Sequence, residues 1–291
     1  MQTVDEKLIT TDFIPFLSRK GVRISVLRTD KIHPVISGNK WFKLKYYLED
    51  AERQSKKRII TFGGAYSNHI VATAAACNMN GFESVGLIRG EEPRKYSHTL
   101  KDAMAYGMEL VFLSRSDYQN KVIPKDLRVA ADYVIAEGGY GVLGAAGAAT
   151  VNYDRTGYDF VMAAVGTGTW MAGLINRKYP ASEVIGISVM KNNYDLEKQV
   201  AGLLINKEEV NIIHDFHFGG YAKYTGELIG FMNDFYKETE IPTDFVYTGK
   251  LFYGVNKLIE KNYFKPDSRI LIIHCGGLQG NLSLPESTLI F

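Results

Sequence analysis

Along most of the chain, short apolar runs alternate with longer stretches in which apolar residues recur every three or four positions. From Arg58 the rhythm is regular. The run at 58–62 predicts a strand, and the alanine-rich stretch at 69–79 predicts a helix stopped by Asn80-Gly81, a common helix-ending pair. A strand at 84–88 precedes a helix at 98–106 with Gly107 after it; a strand at 109–113 precedes a variable segment and a strand at 133–136. A second series has strands at 160–165, 184–189, 211–213 and 269–274, and helices at 170–177, 195–204, 226–238 and 251–261. Upstream, 22–28 is the one strand read in the first 35 residues, and 43–55 reads as an amphipathic helix. Alternation of this kind predicts parallel strands with crossover helices. The expected fold class is α/β: two doubly wound lobes with largely parallel sheets, and a site in the cleft between them at the carboxyl ends of strands.

Composition narrows the function classes. With 291 residues, 46% hydrophobic and 23% charged, the chain is long enough for a well-buried core and ordinary in content. A net charge of +2 demands neither nucleic acid nor an anionic membrane as partner. Two uncharged runs, 138–153 and 160–175, are glycine-rich and shorter than the roughly 20 apolar residues of a spanning helix, so they read as buried strand–loop–helix junctions. Asp5, Glu6 and Lys7 interrupt any secretory signal. Cys77 and Cys275 form no disulfide framework and no metal-ligand spacing, which fits a reducing cytoplasm. His214 and His217, three apart on a strand, would face opposite sides, and no metal site is expected.

Four stretches carry candidate chemistry. In Ser37-Gly38-Asn39-Lys40, a glycine turn meets a helix marked by Trp41, Leu44 and Leu48, which puts Lys40 at a helix start. A lysine partly desolvated there, beside free N–H groups, loses its proton more easily and becomes an amine nucleophile. The plain alternative is a solvated lysine beside Lys43 and Lys45. Gly63-Gly64-Ala65-Tyr66-Ser67-Asn68-His69 ends a strand and opens a helix; Ser67 and Asn68 could cap it, and a helix N-terminus also binds anions. His69 could equally be a structural histidine. Gly166-Thr167-Gly168-Thr169 follows an apolar strand and precedes a helix, a grammar that cradles phosphate through close backbone approach, hydroxyls and the helix dipole. The dinucleotide fingerprint needs glycine at its sixth position, where this chain has Met171. The fourth stretch is Tyr247-Thr248-Gly249-Lys250.

In this order the four stretches resemble the tryptophan-synthase-β-like (fold type II) pyridoxal phosphate enzymes, most closely the branch holding 1-aminocyclopropane-1-carboxylate (ACC) deaminase and D-cysteine desulfhydrase. The resemblance covers about 36–277. It implies pyridoxal 5'-phosphate as cofactor, a small amino acid as substrate, a homodimer, a small lobe at 52–145 and a large lobe at 1–51 and 146–291. It implies that Lys40 carries the cofactor and moves substrate protons, with Asn39 bracing the ring. Ser67 would take the substrate carboxylate, Asn68 the cofactor's phenolic oxygen, and Gly166, Thr167, Gly168 and Thr169 the phosphate. Tyr247 and Tyr221 match the branch's active-site tyrosines. Thr248 would face the pyridine nitrogen, where ACC deaminases carry glutamate and D-cysteine desulfhydrases threonine. A neutral hydroxyl favours a less protonated ring, which suffices for β-elimination. Val71, Cys275 and Leu278-Gln279-Gly280 depart from the branch's usual arginine, threonine and loop.

The expected function is therefore a pyridoxal-phosphate-dependent lyase or deaminase that releases a 2-oxo acid and ammonia, with β-elimination favoured. ACC deamination is the alternative within the class. Outside it stands a non-catalytic phosphate-ligand binder on the same fold.

Overall fold

The computed structural model describes residues 2–127 and 132–291. Strands β1 (Thr11–Phe13) and β2 (Arg23–Leu27) lead into helix α1 (Asn39–Arg53). Then come β3 (Arg58–Gly63), α2 (Asn68–Asn80), β4 (Glu83–Arg89), α3 (His98–Ala105), β5 (Met108–Leu113), α4 (Arg115–Gln119) and β6 (Asp132–Ile135). After α5 (Val142–Ala148) the chain continues through β7 (Phe160–Val165), α6 (Thr169–Arg177), β8 (Glu183–Ser188), α7 (Leu196–Ala201), β9 (Asn211–Ile213), α8 (Gly226–Thr239), α9 (Thr248–Glu260) and β10 (Arg269–Ile273).

The strands form two sheets. One is four-stranded, in the order β5-β4-β3-β6, and entirely parallel. The other is six-stranded, in the order β1-β2-β10-β7-β8-β9, and parallel except for β1 against β2. The mixed α/β class and its two mostly parallel lobes are as the alternation predicts.

Both faces of the larger sheet are covered, which explains why its strands are continuous apolar runs. Along β7, Val161, Ala163 and Val165 join the core that includes α1, α5 and α6, whereas Met162 and Ala164 join the core beneath α8 and α9. Along β10, Leu271 and Ile273 divide from Ile270 and Ile272 in the same way.

Several elements differ from expectation: α1 starts four residues before the helix read at 43–55, and the variable segment after β5 opens with α4. The three-residue β1, exposed at both ends, has no apolar alternation to announce it. The uncharged run at 138–153 holds α5 and no strand. Its small residues allow close helix packing: a Cβ on Gly147 would overlap the Phe42 carbonyl of α1, and one on Gly173 of α6 would press into Ala145 and Ala148. Helix α9 starts three residues early because Asp244 gathers the N–H groups of Val246, Tyr247 and Thr248, at 3.0, 2.7 and 2.9 Å. Among the described residues no helix is long and apolar enough to cross a membrane.

Candidate active site

Helix α1 starts where the Ser37-Gly38 turn presses on the end of β10. Gly38 has φ +57°, and a Cβ on it would overlap the Cys275 carbonyl, so the turn requires glycine. The Gly38 N–H donates to the Thr29 carbonyl (2.9 Å) and the Asn39 N–H to that of Cys275 (3.3 Å). Asn39 and Lys40 are thereby fixed as the first residues of α1. Lys40 is 8% exposed. Its Nζ donates to Asn39 Oδ1 at 2.7 Å and sits 5.7 Å from the centroid of the Tyr247 ring. Burial lowers the Lys40 pKa, with Cys275 and Asp244 pulling the other way. Asn39 thus engages the lysine amine itself.

Lys40 opens into a cavity of ≈ 410 Å³, within the range of small-molecule sites. The sequence candidates Asn39, Lys40, Ser67, Asn68, Gly166, Thr167, Gly168, Tyr221 and Tyr247 all line it. Thr169 and Thr248 do not; both are fully buried beside residues that do. The Thr248 hydroxyl donates to Asp244 Oδ2 at 2.6 Å and accepts from the Asp244 N–H at 2.7 Å. Thr248 is therefore tied to a fully buried carboxylate. Burial pushes the Asp244 pKa up, against the downward pull of its hydrogen bonds with Thr248 and Tyr247 and of the His274 charge.

Two helix N-termini face this space. The first belongs to α2, whose N-cap Ser67 makes no side-chain capping bond, so its hydroxyl stays available. The second belongs to α6, whose N-cap Gly168 is left-handed, with φ +84°. The first helical bond there runs from the Ala172 N–H to the Gly168 carbonyl, which leaves the preceding N–H groups free of helix partners. Buried side-chain atoms without a partner cluster at the same two starts: Asn68 Oδ1, His69 Nδ1, Thr169 Oγ1 and Trp170 Nε1. Orphaned buried polar atoms are costly unless a ligand or water completes them.

His69 Nε2 pairs with Thr61 Oγ1 at 2.9 Å. Burial first, then Lys43 and Lys40, lower its pKa well below the ordinary value, which keeps the ring neutral. Tyr247 and Tyr221 meet edge to face, 6.0 Å between centroids. Burial, and then Tyr221, raise the Tyr247 pKa well above that of a free phenol.

Sequence reasoning missed Lys43, Arg89 and Glu137, all of which line the cavity. Lys43, read as solvated, is 5% exposed, and its Nζ donates to the Gly138 carbonyl at 2.6 Å. Burial and the Lys40 charge lower its pKa well below the ordinary value. Its spacing of three from Lys40 along one helix was the available signal. Arg89 ends β4, Glu137 follows β6, and Met190 lines the wall just after β8. The rule that ligands meet the carboxyl ends of parallel strands would have selected them.

Residues 13–276 match the model of the "Pyridoxal-phosphate dependent enzyme" family. A Pyrococcus horikoshii protein, provisionally named a 1-aminocyclopropane-1-carboxylate deaminase, is 31% identical across 95% of this chain and 91% of its own length. A Klebsiella pneumoniae D-cysteine desulfhydrase is 28% identical across 91% of this chain and 90% of its own. A crystal structure of an ACC deaminase homologue superposes with a TM-score of 0.78 at 28% identity, covering 94% of this chain and 90% of that one. The chain belongs to the family of pyridoxal-phosphate-dependent enzymes. Its cavity fits that cofactor: an amine of lowered pKa for an aldehyde, and a glycine loop, a helix start and Lys43 for a phosphate.

Proposed function

We propose, from the premise that the chain is a pyridoxal-phosphate-dependent enzyme, that it eliminates the β-substituent of a small amino acid of the D-cysteine type. The enamine left by elimination takes up one water, so the products are a 2-oxo acid, ammonia and the protonated leaving group. The observation that carries this reading is the Lys40 amine, buried and of lowered pKa, in a cavity walled by two helix N-termini from opposite lobes.

In this reading Gly166, Thr167 and Gly168 of the cavity wall, with Thr169 behind them, would hold the phosphate together with Lys43, through backbone N–H groups, the unpartnered Thr169 hydroxyl and the Lys43 amine. Asn68 meets the phenolic oxygen. Ser67 and the start of α2 hold the substrate carboxylate. The chemistry supplied by pyridoxal phosphate is electron withdrawal from a substrate amine joined to it. Lys40 Nζ takes the α-proton, the electrons of that C–H bond form the Cα–Cβ double bond, and the β-substituent leaves with its bonding pair. Asn39 Oδ1 orients the Lys40 amine for that transfer.

ACC has no α-proton, so its ring must be opened by a nucleophile, for which Tyr247 is the candidate. Burial keeps the Tyr247 phenol protonated, which disfavours that route. Thr248 alone no longer supports the preference, because its hydroxyl is tied to the Asp244 carboxylate rather than standing as an isolated neutral group. The preference for elimination therefore rests on Lys40 and Tyr247. The same reading takes the enzyme to be cytoplasmic and a homodimer; sedimentation of the purified protein tests the dimer.

The test is kcat/KM on D-cysteine, β-chloro-D-alanine and ACC, each followed by 2-oxo acid release. At least tenfold faster turnover of the β-substituted substrates, about 1.4 kcal/mol in the transition state, is expected. An ACC preference of that size would reassign the reaction, and no turnover of any would favour the non-catalytic binder.

A further inference from the structure

Lys250 is the unused member of the Tyr247-Thr248-Gly249-Lys250 stretch. It is fully buried in the first turn of α9, one turn beyond Tyr247. Its Nζ donates to two backbone carbonyls of one loop, His217 at 2.8 Å and Gly220 at 2.7 Å. The next residue of that loop is Tyr221, which lines the cavity and packs edge-on against Tyr247.

The loop is in a costly conformation. Phe218, Gly219, Gly220 and Ala222 all have positive φ, at 53°, 94°, 117° and 53°, and Phe218 and Ala222 carry side chains that disfavour it. Such backbone persists only when its surroundings over-determine it. At its two ends the loop is anchored by rings: Phe218 against Tyr253 at 4.8 Å and Tyr224 against Phe245 at 5.4 Å. At the Phe218 end, the Lys250 ammonium adds a second hydrogen bond to each of two carbonyls, His217 and Gly220, which otherwise accept only the Gly220 and Lys223 N–H groups. A buried lysine kept for packing alone would leave a charge without acceptors; here both acceptors belong to the segment that presents Tyr221.

We propose that Lys250 is a positioning residue that holds the 217–221 loop and thereby sets the Tyr221 ring against Tyr247 over the Lys40 amine. Lys250 acts through Tyr221 and touches no substrate, and its effect on turnover rests on the reading of Tyr221 as an active-site residue. Burial lowers the Lys250 pKa to about 8, with Asp244 opposing, in keeping with an amine that has exchanged water for two carbonyls.

The experiment uses the holoenzyme and the variants Lys250→Met, Tyr221→Phe and the double variant, with β-chloro-D-alanine as substrate. The independent readout is the rate of tryptic cleavage after Lys223, an exposed residue of the same loop. In Lys250→Met that cleavage is expected to accelerate at least tenfold, with the cofactor absorbance and affinity unchanged. Its kcat/KM is expected to fall by about the factor seen in Tyr221→Phe, and the double variant to fall no further than the worse single one. An unchanged cleavage rate, or losses that multiply in the double variant, would overturn the proposal. Should Tyr221→Phe leave turnover untouched, it is the reading of Tyr221 that fails, while the cleavage rate still decides the tether. If Lys250→Met does not fold, Lys250→Gln, which keeps one amide donor, is expected to show a smaller acceleration in the same direction.

Discussion

The two strand–loop–helix junctions that wall the cavity share a plan and differ in what they present. In the small lobe, β3 runs through Gly63-Gly64 into α2, and the residues at the turn are Ser67, Asn68 and His69. In the large lobe, β7 runs into α6 through Gly166-Thr167-Gly168. Both aim a helix N-terminus at the same space, where negative charge is favoured. The small-lobe junction offers side chains: a serine hydroxyl left uncapped and an asparagine whose Oδ1 has no partner. The large-lobe junction offers backbone, because Gly166 leaves room for the Tyr247 ring and Gly168 adopts a left-handed conformation close to Val200. Backbone donors on a fixed loop suit an invariant group such as a phosphate. Side-chain hydroxyls and amides suit a carboxylate and a ring oxygen that must be told apart. The lesson is that similar local grammar can present different chemistry; in the proposed reading one junction anchors the cofactor and the other meets the reacting end.

Breaking the division is a matter of placing substitutions on each side. The largest effect is expected in the large lobe. In Gly168→Leu, the Cβ would stand 2.7 Å from Val200 Cγ2 on a backbone with φ +84°. Cofactor affinity, measured by equilibrium titration of the apoprotein, is expected to fall about a hundredfold, about 2.7 kcal/mol. Unchanged affinity would show that the phosphate sits elsewhere. A smaller and differently placed effect is expected in the small lobe. Ser67→Ala should raise KM for β-chloro-D-alanine about tenfold, the loss of one hydrogen bond to a charged group, with cofactor affinity unchanged. Should both variants damage the same parameter, the two junctions do not divide the work.

Much of this plan was readable beforehand for a physical reason. Strands buried on both faces, such as β7 with Val161 and Met162 pointing into different cores, must be apolar throughout and announce themselves. The glycines at 38, 166 and 168 were readable because turns and close approaches exclude side chains there. Residues brought in by topology were not. Arg89 and Glu137 reach the cavity only because parallel strands place their carboxyl ends together, and no local pattern marks either residue. Lys43 looks like a solvated lysine in the sequence, but the Gly138-Gly139 turn ahead of α5 covers it in the fold. Likeness places Thr248 at the ring nitrogen, but the partner it has in the fold, Asp244, lies four residues earlier, where no sequence motif marks it.

The measurement that bears most directly on the whole account is the site of cofactor attachment. The two cavity lysines, Lys40 and Lys43, are both buried and both of lowered pKa, and they differ in what their amines reach: Lys40 meets Asn39 Oδ1, and Lys43 meets the Gly138 carbonyl, beside Thr167. Borohydride reduction of the holoprotein followed by peptide mapping is expected to find the pyridoxyl group on Lys40 alone. A pyridoxyl group on Lys43, on any other lysine or on none would contradict the central claim that the Lys40 amine is the reactive centre of this site.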